Sequence, residues 1–267
     1  MIDFCVTIKS IPVKGAEHLK ITDLLVFLFF ESLFKFNDLS SVNIHVIEKG
    51  VAPNILHYIR EKQKNSPVPF EIYSLPEHHL SEVSPRREKV FTVEHDTAYT
   101  CEWMVENCGK EDFMIISHFD IGFRADFLKY IKGVLKPEHG IIGDGWKGIV
   151  LLNRIAYRQC NVGFGSMTYF FAVPWPLPPY KYKIRHYADP RCTDTSNPIL
   201  GFDVMELLEL NVAWLGWGFD PLGDKIFRQY FEHIRCGSWN TNPEISMIQH
   251  SRILAMLNEI GIENVGI

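Results

Sequence analysis

Apolar and polar positions change period repeatedly along the first half of the chain. Residues 2–8, IDFCVTI, are rich in β-formers and free of Gly and Pro, which predicts a strand. The polar stretch from Lys9 to Gly15 predicts a loop. A strongly apolar helix follows from about Ile21 to Phe36, ended by Asn37 and Asp38. VNIHVIEKG, 42–50, alternates as a strand should; 52–64 predicts a helix, and FEIYSL from Phe70 a third strand. After the charged loop SPRREK, Ala98, Cys101, Val105 and Cys108 recur at helical spacing, and Gly109 stands where a helix C′ glycine belongs. In FMIISHFDIGF, 113–123, four apolar residues predict a short buried strand. Phe123, Phe127, Leu128, Ile131, Val134 and Leu135 then mark an amphipathic helix, stopped by Lys136 and Pro137.

GIIGDGW, GIVLLN and GSMTYFFAVPW predict further strands, the last followed by prolines that forbid a helix. From Tyr187 to Gly201 the polar, turn-rich sequence predicts a long loop. FDVMELLELNVAWLGW returns to helical spacing. A last helix starts at Asn242, Pro243 and Glu244, in cap, N1 and first-turn order, and ends before Gly261. Strands alternating with helices of ten or more residues predict an α/β fold with a mostly parallel sheet covered on both faces. No linker divides the sequence, so one domain over 1–267 is expected.

Composition leaves that picture intact: 46% apolar and 22% charged residues are ordinary globular usage and give no sign of disorder. A net charge of −5 without a basic stripe argues against a nucleic-acid partner, and an anionic substrate would need help from a metal, a helix start or a few cations. The six cysteines form no CxxC pair and lie mostly in apolar stretches, as reduced thiols of a cytoplasmic protein do. Asp3 and Lys9 interrupt the first apolar segment, which does not read as a secretory signal. LLVFLFF, 24–30, is too short to span a membrane; it fits a buried helix, with a subunit contact or a peripheral contact at the inner membrane face as alternatives.

Candidate chemistry centres on the end of the 113–116 strand. Ligands of parallel α/β sheets bind beyond the carboxyl ends of the strands, and His118 and Asp120 stand there two positions apart. A carboxylate beside an imidazole suits Mn²⁺, and a carboxylate alone suits Mg²⁺. An isolated His-x-Asp is equally a hydrogen-bonded strand-end histidine followed by a turn aspartate.

The surrounding pattern resembles GT-A-type nucleotide-diphospho-sugar glycosyltransferases, in particular the inverting branch. His95, the helix to Cys108, FMIISHFD, GFRADFLKYIKGVL and GIIGD follow in the order of that family's motifs. The resemblance implies a GT-A fold, a nucleotide-binding half at about 1–125, an acceptor half at about 126–267, and Asp120 as ligand of Mn²⁺ or Mg²⁺. His118 departs from the family's first Asp, which serves the nucleotide, and would bind ribose or take a metal position itself.

The same resemblance points to Thr7, Ile8 and Lys9 after the first strand for the nucleobase of a UDP-type donor, and to Glu48 as the acid toward uracil. Arg87, beside Arg86, would reach the diphosphate, and His95 precedes the helix before the motif strand. Asp203 aligns with the catalytic base, with Phe202 replacing the family's Glu; Glu206, one turn on, is the fallback. For the histidine that completes the metal site the resemblance offers His250, with His233 as substitute. The 187–201 loop, with Asp189 and Arg191, would be a lid over the donor. Each of these also has an ordinary reading: Thr7 as a strand residue, Glu48 as a solvated acid, Arg87 as a solvated cation, His95 beside an Asp96 N-cap, Asp203 as an N-cap, His250 as a structural helix residue.

The implied activity is sugar transfer to an acceptor hydroxyl of a glycan, lipid or small molecule. The aromatics from Trp146 onward, Trp175, Tyr180, Tyr182, Trp214, Trp217 and Trp239, divide between the core and an acceptor surface. His118 and Phe202 leave open a nucleotide-sugar-binding protein without transfer. A metal-dependent hydrolase built on His118, Asp120, His95 and His250 is the other alternative.

Overall fold

The structure is a computed structural model that describes residues 1–9, 21–75, 92–144, 148–160, 164, 167–169, 200–202, 206–234 and 243–262. In chain order, the first half contains β1 (Ile2–Lys9), α1 (Ile21–Phe36), β2 (Val42–Lys49), α2 (Pro53–Lys64), β3 (Phe70–Ser74), α3 (Thr92–Asn107), β4 (Phe113–His118), β5 (Ile121–Phe123) and α4 (Phe127–Val134). The second half contains β6 (His139–Asp144), β7 (Ile149–Asn153), α5 (Arg154–Gln159), β8 (Met167–Tyr169), β9 (Leu200–Phe202), α6 (Glu206–Trp214), β10 (Gly218–Asp220), α7 (Asp224–Tyr230), β11 (Phe231–His233) and α8 (Pro243–Glu259).

Seven strands form the central sheet in the order β10-β6-β7-β4-β1-β2-β3. Neighbouring strands are parallel except where β7 runs antiparallel to both β4 and β6, as a short connection from β6 allows. β1 and β2 pair in register from Ile2↔Val42 to Lys9↔Lys49, and β4 joins β1 with Thr7 opposite His118.

Alternation along the strands sends side chains into two apolar layers. Phe4, Val6, Ile8, Ile44, Val46 and Ile115 face a core shared with α1 and α8. Cys5, Ile47, Met114 and Ile116 face the core of Cys101, Met104, Val105 and Cys108 on and just after α3. Helix α1 is apolar on nearly every side because it is covered from two directions, packing against both β5 and α8. No helix among the described residues is long and apolar enough to cross a membrane. The cysteines in the described residues are free: Cys5, Cys101 and Cys108 are buried and Cys160 is half-buried.

Two polar side chains, Ser32 on α1 and Asn37 just after it, fix the chain after β4. Ser32 Oγ accepts from the Phe123 N–H at 2.9 Å. Asn37 Oδ1 accepts from the N–H groups of Phe127 and Leu128 at 3.0 and 3.2 Å, while Asp126 caps α4 by accepting from Lys129 N. Phe123, expected to open a helix, instead lies in β5 opposite Phe231 of β11, and α4 begins only at Phe127.

At the amino-terminal edge of the sheet, Asp3 is fully buried and accepts from Asn43, His45, the Glu111 N–H and Arg154. Burial alone would raise its pKa; these hydrogen bonds more than offset it and hold the carboxyl at about 2. Arg154 also donates to the carbonyls of Glu111 and Cys108, tying α5 to the end of α3. Gly109 turns there with φ +66°, and a Cβ at that position would strike the Asp3 carboxylate.

Candidate active site

The last residue of β4, His118, shares a face with Met114 and Ile116. Its N–H donates to the Gly148 carbonyl at 2.7 Å, and the Ile234 N–H donates to the Asp120 carbonyl at 2.8 Å. The His-x-Asp segment is therefore clamped between the turn before β7 and the end of β11. Because β11 pairs antiparallel with β5, His233 lies opposite Ile121 and its ring reaches the same place. His233 Nε2 stands 3.5 Å from Asp120 Oδ1, and His118 Nδ1 stands 3.9 Å from that oxygen. Gly148, with φ +77°, lies against the root of one ring and the tip of the other: a Cβ there would sit 3.4 Å from His118 Cβ and 3.5 Å from His233 Nε2.

Asp120 is 1% exposed, whereas the His118 side chain keeps 45% of its surface open, so the cluster is buried at the carboxylate and accessible at one imidazole. The surrounding protein desolvates His118 and lowers its pKa; the Asp120 charge opposes this and the charge on His233 adds to it. His118 is thus held toward its neutral form, in which one ring nitrogen donates and the other accepts.

Among the described residues no three His, Cys, Asp or Glu side chains are already gathered at metal-holding distance. The groups present still match a divalent ion in kind. Two ligands of one ion at about 2.1 Å stand roughly 3.0–3.5 Å apart, and the Asp120–His233 separation of 3.5 Å meets that range. A carboxylate oxygen with imidazole nitrogen suits Mn²⁺ better than Mg²⁺.

The other expected residues divide by location. Thr7 is half-buried beside His118 in the β1–β4 register. Ile8 is buried in the α1-side core, so its backbone alone is available to a ligand. Lys9 is half-buried opposite Lys49. Glu48 belongs by alternation to the α1-side face with Val46, and its Oε2 accepts from Val51 N at 3.4 Å, which turns it from the face that carries His118. Helix α3 starts at Thr92, so His95 falls within its first turn and Asp96 is not the cap. His250 is half-buried midway along α8, and His118 and His233 both lie within 4 Å of Asp120. Glu206 opens α6. Arg86, Arg87 and Asp203 lie outside the described residues, as does the 187–201 loop up to its last two positions in β9. Trp214 is exposed and Trp217 donates to Gln159 Oε1, while Trp146, Trp175, Tyr180, Tyr182 and Trp239 also lie outside the description.

No protein-family profile matches the sequence, and no curated protein does. Solved structures similar to the chain include the galactosyltransferase LgtC in complex with donor and acceptor sugar analogues, at 9% identity and TM-score 0.41 over 59% of this chain and 60% of that one. Mouse xyloside xylosyltransferase 1 matches at 12% identity and TM-score 0.40, covering 59% of this chain and 69% of its own. The mannosyltransferase PcManGT from Pyrobaculum calidifontis, in complex with GDP-Man and Mn²⁺, matches at 10% identity and TM-score 0.39, over 61% and 47% of the two chains. The match to LgtC thus spans three fifths of that protein's length.

Proposed function

We propose that this chain is a GT-A-type glycosyltransferase, one domain over 1–267, that moves a sugar from a UDP-type nucleotide-diphosphate donor to an acceptor hydroxyl. The observation that carries the reading is the buried Asp120 carboxylate at the carboxyl end of a parallel-sheet strand, with a histidine on either side and one of them open to solvent. That is where ligands of such sheets bind.

In this reading Asp120 and His233 hold the divalent ion, Mn²⁺ in preference to Mg²⁺. When bound, the ion supplies positive charge to the oxygens of the departing nucleoside diphosphate. Neutral His118 offers one ring nitrogen to the ribose hydroxyls, and Thr7 and the backbone of Ile8 line the nucleoside's path. A carboxylate near the start of α6, Asp203 or in its place Glu206, takes the proton from the acceptor hydroxyl as that oxygen attacks the anomeric carbon, with inversion. Arg87 stands to the diphosphate, and the 187–201 segment covers the donor and excludes water, which limits hydrolysis. In the same reading the protein works in the cytoplasm.

A thermal-shift series of UDP-, GDP-, CDP- and ADP-sugars with and without Mn²⁺ tests the reading. A ligand at a hundredfold excess over its Kd stabilises the folded chain by about 2.7 kcal/mol, roughly 5–11 °C at this size. A Mn²⁺-dependent shift with a UDP-sugar is expected; no shift with any nucleotide sugar contradicts the reading.

A further inference from the structure

Helix α6 leads away from the candidate site. β10, which follows it, pairs parallel with β6; β6 and β4 both run antiparallel to β7, so β4, β6 and β10 share one direction. Glu206 at the start of α6 therefore stands toward the carboxyl ends of the strands and Trp214 toward their amino ends, about 12 Å apart along the helix axis. Ile155 on α5 reaches the same amino-terminal edge, directly after Asn153, which pairs with Phe113 at the start of β4. The two helices meet over Gly140 of β6, where an added Cβ would strike Val212 Cγ1 and Trp217 Cβ and lie 3.3 Å from Ala156 Cβ. Trp217 Nε1 donates to Gln159 Oε1 at 2.9 Å, which ties the turn after α6 to the end of α5. On the outside of this seam Trp214 is 63% exposed, and Leu215 and Ile155 are 43% exposed each. A Cβ on Gly216, the next residue of the turn, would meet no described atom within 4 Å.

We propose that Trp214, with Leu215, Ile155 and the Trp217–Gln159 pair, forms a platform for an uncharged glycan, so that the acceptor is a chain of several sugars whose far end lies here. The acceptor role rests on the transfer reading above. Size and charge decide among the occupants. Trp214, Leu215 and Ile155 together expose roughly 300 Å², well short of the about 800 Å² that a stable dimer takes from each copy. Glu138, whose carbonyl accepts from the Gly218 N–H, and Arg158, beside Gln159, balance each other, unlike the row of cations that an anionic lipid surface attracts. A sugar ring meets both limits: it is small and neutral, and it offers an apolar C–H face to an indole and hydroxyls at its rim. Gln159, whose side-chain oxygen is engaged by Trp217, also carries an amide NH₂ that donates to such hydroxyls. A chain bound at Trp214 then has about 12 Å to run back along α6 to the carboxylate at the start of that helix, a span of a few sugar rings.

Calorimetric titration of the wild-type chain with cello-, chito- and manno-oligosaccharides of one to six sugars tests this directly. Affinity for at least one series should rise with length. Trp214→Ala should weaken binding of the hexasaccharide by about tenfold or more, while the Mn²⁺-dependent thermal shift with a UDP-sugar stays as in the wild type, and Trp214→Phe should keep most of the affinity. Binding of none of the three series by the wild type, or a folded Trp214→Ala variant with wild-type affinity, would overturn the inference; a UDP-sugar shift in the same protein would leave the transfer reading standing. Binding to phosphatidylcholine vesicles, or dimerisation, that Trp214→Ala abolishes in a chain that binds no oligosaccharide would likewise overturn it and assign the patch to a membrane or a second copy. Oligosaccharide binding through Trp214 without a shift by any nucleotide sugar would keep the platform and remove its acceptor role together with the transfer reading.

Discussion

His233 Nε2 lies 3.5 Å from Asp120 Oδ1, although one residue ends β11 and the other follows β4. The approach is a product of the β5–β11 pairing, which sets His233 opposite Ile121, one residue from Asp120. If these two side chains hold the ion, His233→Ala should weaken Mn²⁺ binding by about tenfold to a hundredfold, while His250→Ala leaves it within about twofold. Electron paramagnetic resonance titration of free Mn²⁺ measures both. The opposite ranking would move the metal ligand from β11 to α8.

Gly148 supports the same cluster without a side chain. Its φ of +77° costs an L-residue about 1–2 kcal/mol, and an added Cβ would press toward Ile121 Cδ1, His118 Cβ and His233 Nε2. Gly148→Ala should therefore lower the unfolding free energy by that amount and, in the folded protein, weaken Mn²⁺ binding as well. Urea denaturation read beside Mn²⁺ titration separates the two; a loss of stability with unchanged metal affinity would show that the turn supports the fold alone.

Acid sensitivity should arise at the other edge of the sheet. The Asp3 carboxyl is held at about 2 against an ordinary 3.8. A depressed folded-state pKa contributes stability that is complete above the unfolded value and is lost as pH falls through the folded one. Roughly 2 kcal/mol should therefore disappear between about pH 4 and pH 2. Urea midpoints across that interval measure it.

Asp3→Asn should remove this pH dependence and cost about 3–5 kcal/mol at neutral pH, because it leaves the Arg154 guanidinium buried without its counter-charge. Unfolding by urea at pH 7 checks the size, and an Asp3→Asn chain with the wild-type acid profile would assign the effect elsewhere.

The residues that sequence reasoning placed well are those whose neighbours are local. Helix α1 was expected from Ile21 to Phe36 and occupies that span, because a continuous apolar run without Gly or Pro has one outcome. The strands at 2–9, 42–49 and 113–118 follow from their β-formers in the same way. What was illegible depends on distant pairing. Residues 218–233 form two three-residue strands and a short helix, too brief to show a period, and β11 exists because it pairs with β5. That pairing also took Phe123 out of the expected helix. Glu48 was assigned from its place after the second strand, yet a period of two puts adjacent residues on opposite faces, and Lys49 is the one that shares a face with His118.

The most direct measurement is sugar transfer from a UDP-sugar that stabilises the protein, followed as UDP release in Mn²⁺ with acceptor present, for the wild type and for Asp120→Ala. The variant should fold, with circular dichroism unchanged, and turn over about a hundredfold to a thousandfold more slowly. A folded Asp120→Ala chain that transfers sugar at the wild-type rate would contradict it.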